Sequence, residues 1–433
     1  MGLWSVLTLC LSLVQTNPPP NPKPGTEPTE NLLGRLQPNQ GGFRLAEGEA
    51  GTFNISLYTY VRYLNQKAID DTYTDSFGRT RDIDIRHDIQ IQKVKIDTKG
   101  WILDEHLLYN LWVWTSNSMM GQGAQVVVAG NLTYAFSDAL YIGGGINPLP
   151  AVRSLEGTWP RMLRVDSRTI VDEYMRGSYT TGIFALGKPL EGVTYKVMLA
   201  DNLSQLGIDA IQLDDRLDTF SAQLTWMPTT GEYGPGSGMG DLEQHDKIAT
   251  RLGAHYTHST ETPQTQPNNE DPENTQIRLS DGTGVFDVDA FGSGTRITSA
   301  RYQMCSFDAG LKYRGFSIEA EYYFRWLTSL HTQGPVPVSR LFDHGIQVQG
   351  SYMLTATFMT YVSGSKLFGQ YGDPWDISVG VNWYPVTRKG FERQVRINAE
   401  VMFVRRCPTG NSSVPYNVGD NGAIFDLNFE VFF

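Results

Sequence analysis

Cysteine is scarce: Cys10, Cys305 and Cys407 are the three in 433 residues. Cys10 would leave with an N-terminal signal segment. Cys305 and Cys407 then remain in what reads as an exported chain that does not rely on disulfides, with a bridge between those two as the alternative. Long apolar runs are also missing. No stretch approaches the roughly 18–20 residues a membrane-spanning helix needs, which excludes a helical membrane bundle. Positive charge is in deficit, with 35 Lys and Arg against 46 Asp and Glu and a net charge of -11. No clustered basic face is left for a polyphosphate backbone, so nucleic acid is excluded as a partner. Catalytic and metal signatures are thin. His255 and His258 lie close together without a third ligand for zinc. Asp281, Asp287 and Asp289 lack EF-hand spacing and read as solvated acids. The glycine-rich stretch 231–240 lacks the Lys-Ser/Thr of a phosphate-cradling loop. Ser-His-Asp and Cys-His constellations do not stand out. The expectation is a protein that is not an enzyme and that uses no metal and no cofactor.

Three segments are expected: a signal peptide over residues 1–16, a Pro-rich linker over 17–50, and a β-domain over 51–433. The first combines a short apolar run (Met1 to Val14) with a length too small to cross a bilayer as a helix. The second contains the extended run NPPPNPKP, which has no fold of its own. From Gly51 onward, apolar and polar residues alternate with period two. Phe425, Leu427, Phe429, Val431 and Phe433 share one parity; Asp426, Asn428 and Glu430 hold the other. Phe316, Ile318, Ala320, Tyr322, Phe324 and Trp326 likewise oppose Ser317, Glu319, Glu321, Tyr323 and Arg325. One segment changes parity between Ile91 and Val94, which a β-bulge near Gln92 would reconcile.

About sixteen such segments occur, with connectors that alternate in length. Short ones fall around 98–100, 137–138, 187–190, 314–315 and 354–356. Longer polar ones fall near 65–82, 148–176, 202–217, 258–301, 327–343 and 406–420. That pattern predicts a transmembrane antiparallel β-barrel of about sixteen strands, with long extracellular loops and short periplasmic turns, in the outer membrane of a Gram-negative-type bacterium. A secreted β-sandwich, the alternative, does not predict the asymmetry. Residues 227–246 break it, forming a long glycine-rich connector on the expected short-turn side. An Arg facing lipid at mid-bilayer costs ~2–4 kcal/mol, so the charged parity is assigned to the interior.

Four stretches, DEYMRGSYTTGI (172–183), GMGDLEQHDKIATRLG (238–253), GIQVQGSY (345–352) and VNWYP (381–385), resemble the phosphate-selective porin O and P family. The resemblance spans roughly Gly51 to Phe433. It implies a passive, typically trimeric sixteen-stranded channel that admits small hydrophilic solutes or anions such as phosphate. It also implies a loop folded into the pore, and by position residues 148–176 are the candidate, carrying Arg153, Arg161, Arg164 and Arg168. Anion selectivity needs cations along the path. The interior parity supplies Arg62, Lys93, Lys95, Lys196, Arg251, Lys312, Arg325 and Arg396. Acids are nearly as numerous there, and cross-strand pairing is the alternative role for each cation. Phe433 is expected to close the barrel and, by the resemblance, to serve recognition by the barrel-assembly machinery. A plugged barrel with an enzymatic, adhesin or structural role is the alternative function.

Overall fold

A computed structural model of the chain describes residues 42–116, 125–204, 216–234, 238–264, 276–388, 392–410 and 414–433. The expected signal peptide and the first part of the linker lie outside the described residues. Sixteen antiparallel strands form a closed ring. They are β1 Gly51–Ile69, β2 His87–Ile102, β3 Asp104–Ser116, β4 Gln125–Ser137, β5 Leu140–Pro148 and β6 Tyr179–Leu190. Next come β7 Val193–Ala200, β8 Thr219–Trp226, β9 Ala249–Glu261, β10 Arg296–Tyr313 and β11 Phe316–Gln333. The set ends with β12 Leu341–Thr355, β13 Phe358–Phe368, β14 Trp375–Trp383, β15 Val395–Arg405 and β16 Gly422–Phe432. Each strand pairs with the next, and β16 pairs with β1 to close the ring. Just past β16, Phe433 exchanges backbone hydrogen bonds of 2.9 and 3.0 Å with Leu57.

The alternation in sequence becomes an inside-out protein. On β16 the apolar Phe429 is 48% exposed, whereas its neighbour Glu430 is 1% exposed. An apolar outer face and a charged inner one suit a wall between lipid and a polar interior, and they are the reverse of a water-soluble core. No helix among the described residues is long and apolar enough to cross a membrane. The parity change in β2 is a bulge: Lys93 pairs with Tyr60 and Ile91 with Val61, leaving Gln92 as the extra residue. This places Ile89 and Ile91 outside together with Ile96, and all three are exposed.

Two expected turns lie elsewhere. Residues 98–100 and 187–190 belong to β2 and β6, and the chain reverses at Leu103 and at residues 191–192. The glycines that suggested turns serve close backbone approach instead. A Cβ on Gly100 would sit 2.0 Å from the Thr52 carbonyl oxygen, and one on Gly187 would sit 2.2 Å from that of Ala139. Residues 43–48, expected as linker, form a short strand (Phe43–Gly48) paired with the start of β1. Its Phe43 ring lies 5.0 Å from the Phe433 ring.

The strand-connecting segments divide largely as the length pattern predicts. However, most of 327–343, expected as a long connector, belongs to β11 and β12, and residues 384–394 make a longer connection on the short-turn rim. Reversals at 103, 138–139, 191–192, 314–315 and 356–357 share one rim with the ends of the ring, and segments 70–86, 149–178, 262–295 and 406–421 are long. The long connector 227–248 lies on the short-turn rim. Residues 149–178 fold into the interior and share its apolar core with residues 277–291 and with Cys407, Val414 and Tyr416. Their Leu149, Val152, Leu155, Ile170, Val171, Tyr174 and Met175 bury against Leu64, Phe286, Tyr302, Tyr323, Leu327 and Met402. The one α-helix among the described residues, α1 (Ile170–Met175), is capped by Thr169, whose side chain accepts from the Asp172 amide.

Candidate pore and its constricting loop

Residues 149–178 leave β5, cross the barrel and touch most of the far wall before returning to β6. Arg153 grips Glu319 of β11 through two bonds of 2.9 and 3.1 Å. Arg251 of β9 donates to Glu156 of the loop at 2.9 and 3.0 Å. Arg164 donates to Glu400 of β15 at 2.8–3.0 Å. Backbone carbonyls of the loop are used as well: Met162 accepts from Arg396, Leu163 from Asn382 and Val165 from Arg62. Asp166 pairs with Lys93 and accepts from Tyr60. On the return, Thr169 donates to Gln347, and Tyr302 to the Met175 carbonyl. The amides of Ile170 and Val171 reach Asp376 and Ser365. The loop is therefore held inside the barrel by charge and by backbone satisfaction, in addition to its apolar core.

This arrangement assigns the predicted cations to two groups. Arg62 lies 3.4 Å from Asp426, and Arg325 donates to Asp343 at 2.6 Å. Arg396 donates to Glu430 at 2.5 and 2.8 Å, and Arg251 also binds Asp308 at 2.8 Å. With Arg153, Arg164 and Lys93, these are buried ion pairs, and a paired, desolvated guanidinium is poorly placed to take a passing anion. Arg168 bonds Ser154 and lies 3.6 Å from Glu173. Lys312 is buried against the inner connector, donating to the carbonyls of Tyr233 (2.8 Å) and Gly238 (2.6 Å). The second group lies on the wall from β2 to β8. Lys95 pairs with Asp97 at 2.7 Å and stays partly exposed. Lys196 donates to Asn147 and to the Pro148 carbonyl. Arg161 is half-buried, and none of the ion pairs among the described residues involves its guanidinium.

Sequence reasoning missed Lys99, because Gly100 placed it in a turn. It shares the inward parity of Lys93, Lys95 and Asp97, and that parity was the signal available. The inward aromatics Trp112, Trp114 and Trp159 were also missed. Lys95 Nζ lies 4.6 Å from the Trp159 ring and 5.6 Å from Trp112, and Lys93 Nζ lies 4.5 Å from Trp114. Glu156, His255 and Asp308 come within metal-ligand spacing of one another. Arg251 donates to both carboxylates, so the trio is an ion-pair knot with its positive charge already supplied.

No protein-family model matches the chain, and no curated protein matches it. Solved structures do. The anion-selective porin from Comamonas acidovorans superposes with a TM-score of 0.54 at 8% identity, covering 88% of this chain and 99% of that one. The outer membrane channel DcaP of Acinetobacter baumannii gives 0.52 at 9% identity, over 91% and 100%. Outer-membrane expressed OmpT of Vibrio cholerae gives 0.52 at 10% identity, over 90% and 99%. The likeness is one of fold. The chain folds as an outer-membrane β-barrel.

The two walls of this barrel differ in charge. From β10 to β16 the interior carries Asp308, Glu319, Glu321, Asp343, Asp376, Glu400, Asp426 and Glu430, all buried under the loop or against its partners. From β2 to β8 the described inward positions carry Lys93, Lys95, Lys99 and Lys196 against Asp88 and Asp97. Asp88 is bound by Arg86, and Lys93 by Asp166 of the loop. Between them lie Asn110, Asn131, Thr133 and the neutral faces of β4 to β8.

Proposed function

We propose that the protein is an outer-membrane porin, a passive, non-enzymatic channel for small hydrophilic solutes with a preference for anions. One observation carries the reading. The loop's arginines and their strand counterparts absorb the acids of one wall, leaving the partly exposed wall from β2 to β8 with a surplus of lysine. Fixed cations along a path attract anions, and partial exposure keeps the binding weak enough for release. The nearly balanced interior charge of the sequence is then divided by position. Phosphate is the anion suggested by the family resemblance. Oxyanions of its kind suit point-charge lysines beside an arginine.

The outward apolar band would face outer-membrane lipid. A homotrimer belongs to the same reading, and one of the OmpT structures that resemble this chain is described as a trimer form. Residues 1–16 as a signal peptide and Phe433 as a mark for the barrel-assembly machinery complete it.

The plugged barrel keeps one observation in its favour. The inner connector 227–248 turns into the lumen, burying Tyr233, Met239 and Asp241. Its Met239 amide bonds the Arg161 carbonyl of the pore loop at 3.1 Å. Reversal potential in a salt gradient across a planar bilayer decides the matter. Anion preference is the expected result, cation preference overturns the selectivity, and absence of current favours the plug.

A further inference from the structure

The partly exposed wall holds more apolar ring surface than passage of a fully hydrated inorganic ion requires. Lys95 on β2 stands directly across from Trp114 on β3, Asp97 from Trp112, and Lys99 from Asn110. All six residues point inward. Trp159 reaches the same place from the pore loop, where its Nε1 donates to Asp166 at 2.9 Å and its ring lies 4.4 Å from that of Tyr58. Two residues further along the loop, Arg161 brings a half-buried guanidinium. Lys99 and Arg161 lie close enough to repel each other, with Asp97 and Glu243 as the nearby acids. Each acid already has a partner: Asp97 pairs with Lys95, and Glu243 with Arg393 at 2.6 Å. A cluster with surplus positive charge beside three indole rings is complementary to a molecule with an anionic head and a flat apolar body.

Resting on the anion-preferring reading above, we propose that this wall holds a binding site for small aromatic carboxylates. Lys99 and Arg161 would take the carboxylate, and Trp114 and Trp159, which are partly exposed, would take the ring, with the buried Trp112 behind them. Two features favour an aromatic body over an aliphatic one. Indole rings gain from offset or edge contact with another ring beyond the area they bury. The rings are also held in place: Trp159 by its hydrogen bond to Asp166, and Trp112 among neighbours that include Lys95 and the Tyr179 ring, 6.4 Å away. A preorganised ring surface loses little freedom when a ligand meets it. Inorganic phosphate would use the cations and gain nothing from the tryptophans.

The test is block of chloride current through the full-length protein in a planar bilayer, with benzoate, acetate and phosphate compared at equal ionic strength. Benzoate should reduce the current at a concentration about five-fold or more below that of acetate, the margin one or two aromatic contacts provide. Trp114→Ala should remove most of that margin and Trp114→Phe should keep it, while Lys99→Gln should weaken block by benzoate and acetate alike. Equal block by benzoate and acetate in the unmodified protein overturns the proposal without needing any variant to fold. So does a benzoate margin unchanged in Trp114→Ala. Reversal potential measured without benzoate separates the two claims. Retained anion preference with no benzoate margin removes the aromatic site alone, whereas cation preference removes the reading beneath it.

Discussion

On the wall from β9 to β16, the inward charged side chains are buried in ion pairs or hydrogen bonds, many of them with residues 149–178. On the wall from β2 to β8, the inward side chains are fewer in charge, richer in indole and partly open. Both walls obey the same alternation of apolar and polar residues, so periodicity does not distinguish them. The difference comes from where one long segment lies down. An arginine placed against a buried glutamate is a structural element, and a lysine left at a half-open surface is available to solute. Buried pairs of the first kind fix geometry more than they stabilise, because desolvation offsets much of the attraction.

Substitutions on the two sides should therefore give different readouts. The largest effect is expected from Arg164→Ala, which leaves Glu400 buried without its partner and Asp376, 4.0 Å away, with less compensation. A loss of ~3–5 kcal/mol is expected in denaturant unfolding of the refolded protein, together with higher conductance as the loop loosens. Arg161→Ala, three residues earlier in the same loop, should leave unfolding nearly unchanged and shift the reversal potential toward cations. If the two variants behave alike, the contrast between the walls is wrong.

A second comparison checks the parity of the open wall. Val128 on β4 faces outward at 73% exposure, while Val127 faces Trp114 inside. Val128→Arg should cost ~2–4 kcal/mol in unfolding within lipid vesicles, and Val127→Arg should cost markedly less. Equal costs would mean that the outward band does not sit in hydrocarbon. On selectivity, Lys99→Glu should move the reversal potential further toward cations than Lys312→Gln. Lys312 is buried against carbonyls of the inner connector, so its loss should appear mainly in stability.

The smallest effect concerns pH at the inner connector. Burial pushes the His245 imidazole down, but hydrogen bonds to Asp241 and Glu232 outweigh it and hold the pKa above its ordinary value. A group raised in the folded state contributes stability that is complete below its unfolded pKa and is lost as pH rises through the folded one. The contacts of His245 with Asp241 and Glu232, which hold the connector's own fold, should thus weaken as pH rises above the ordinary histidine range. In single-channel records, conductance should rise over that window in the unmodified protein and stay flat in His245→Gln. A flat trace in both would separate the connector from the pore.

Much of the fold was legible because lipid punishes one parity. Burying Glu319, Glu321 and Arg325 on the outside would cost several kcal/mol, so the face of β11 follows from its order of residues alone. The bulge at Gln92 could be read for the same reason. The turns near Gly100 and Gly187 could not, because a glycine that permits close approach of a neighbouring strand has the same letter as one that bends the chain. The site was legible by residue type and not by role. Arg153, Arg161, Arg164 and Arg168 share one loop and look equivalent in sequence, yet the first two diverge from each other as much as Arg161 does from Arg164.

By itself, then, the sequence determined the period, the inward face, the strand number and the alternation of connectors. Each of these is a local property, enforced by the unfavourable transfer of charge into hydrocarbon. Only the tertiary structure decided which cations meet carboxylates and which remain free. That depends on the course of residues 149–178 across the lumen, which brings groups far apart in the chain within bonding distance. Pairing energy depends on distance and burial, and neither is written in the order of the residues.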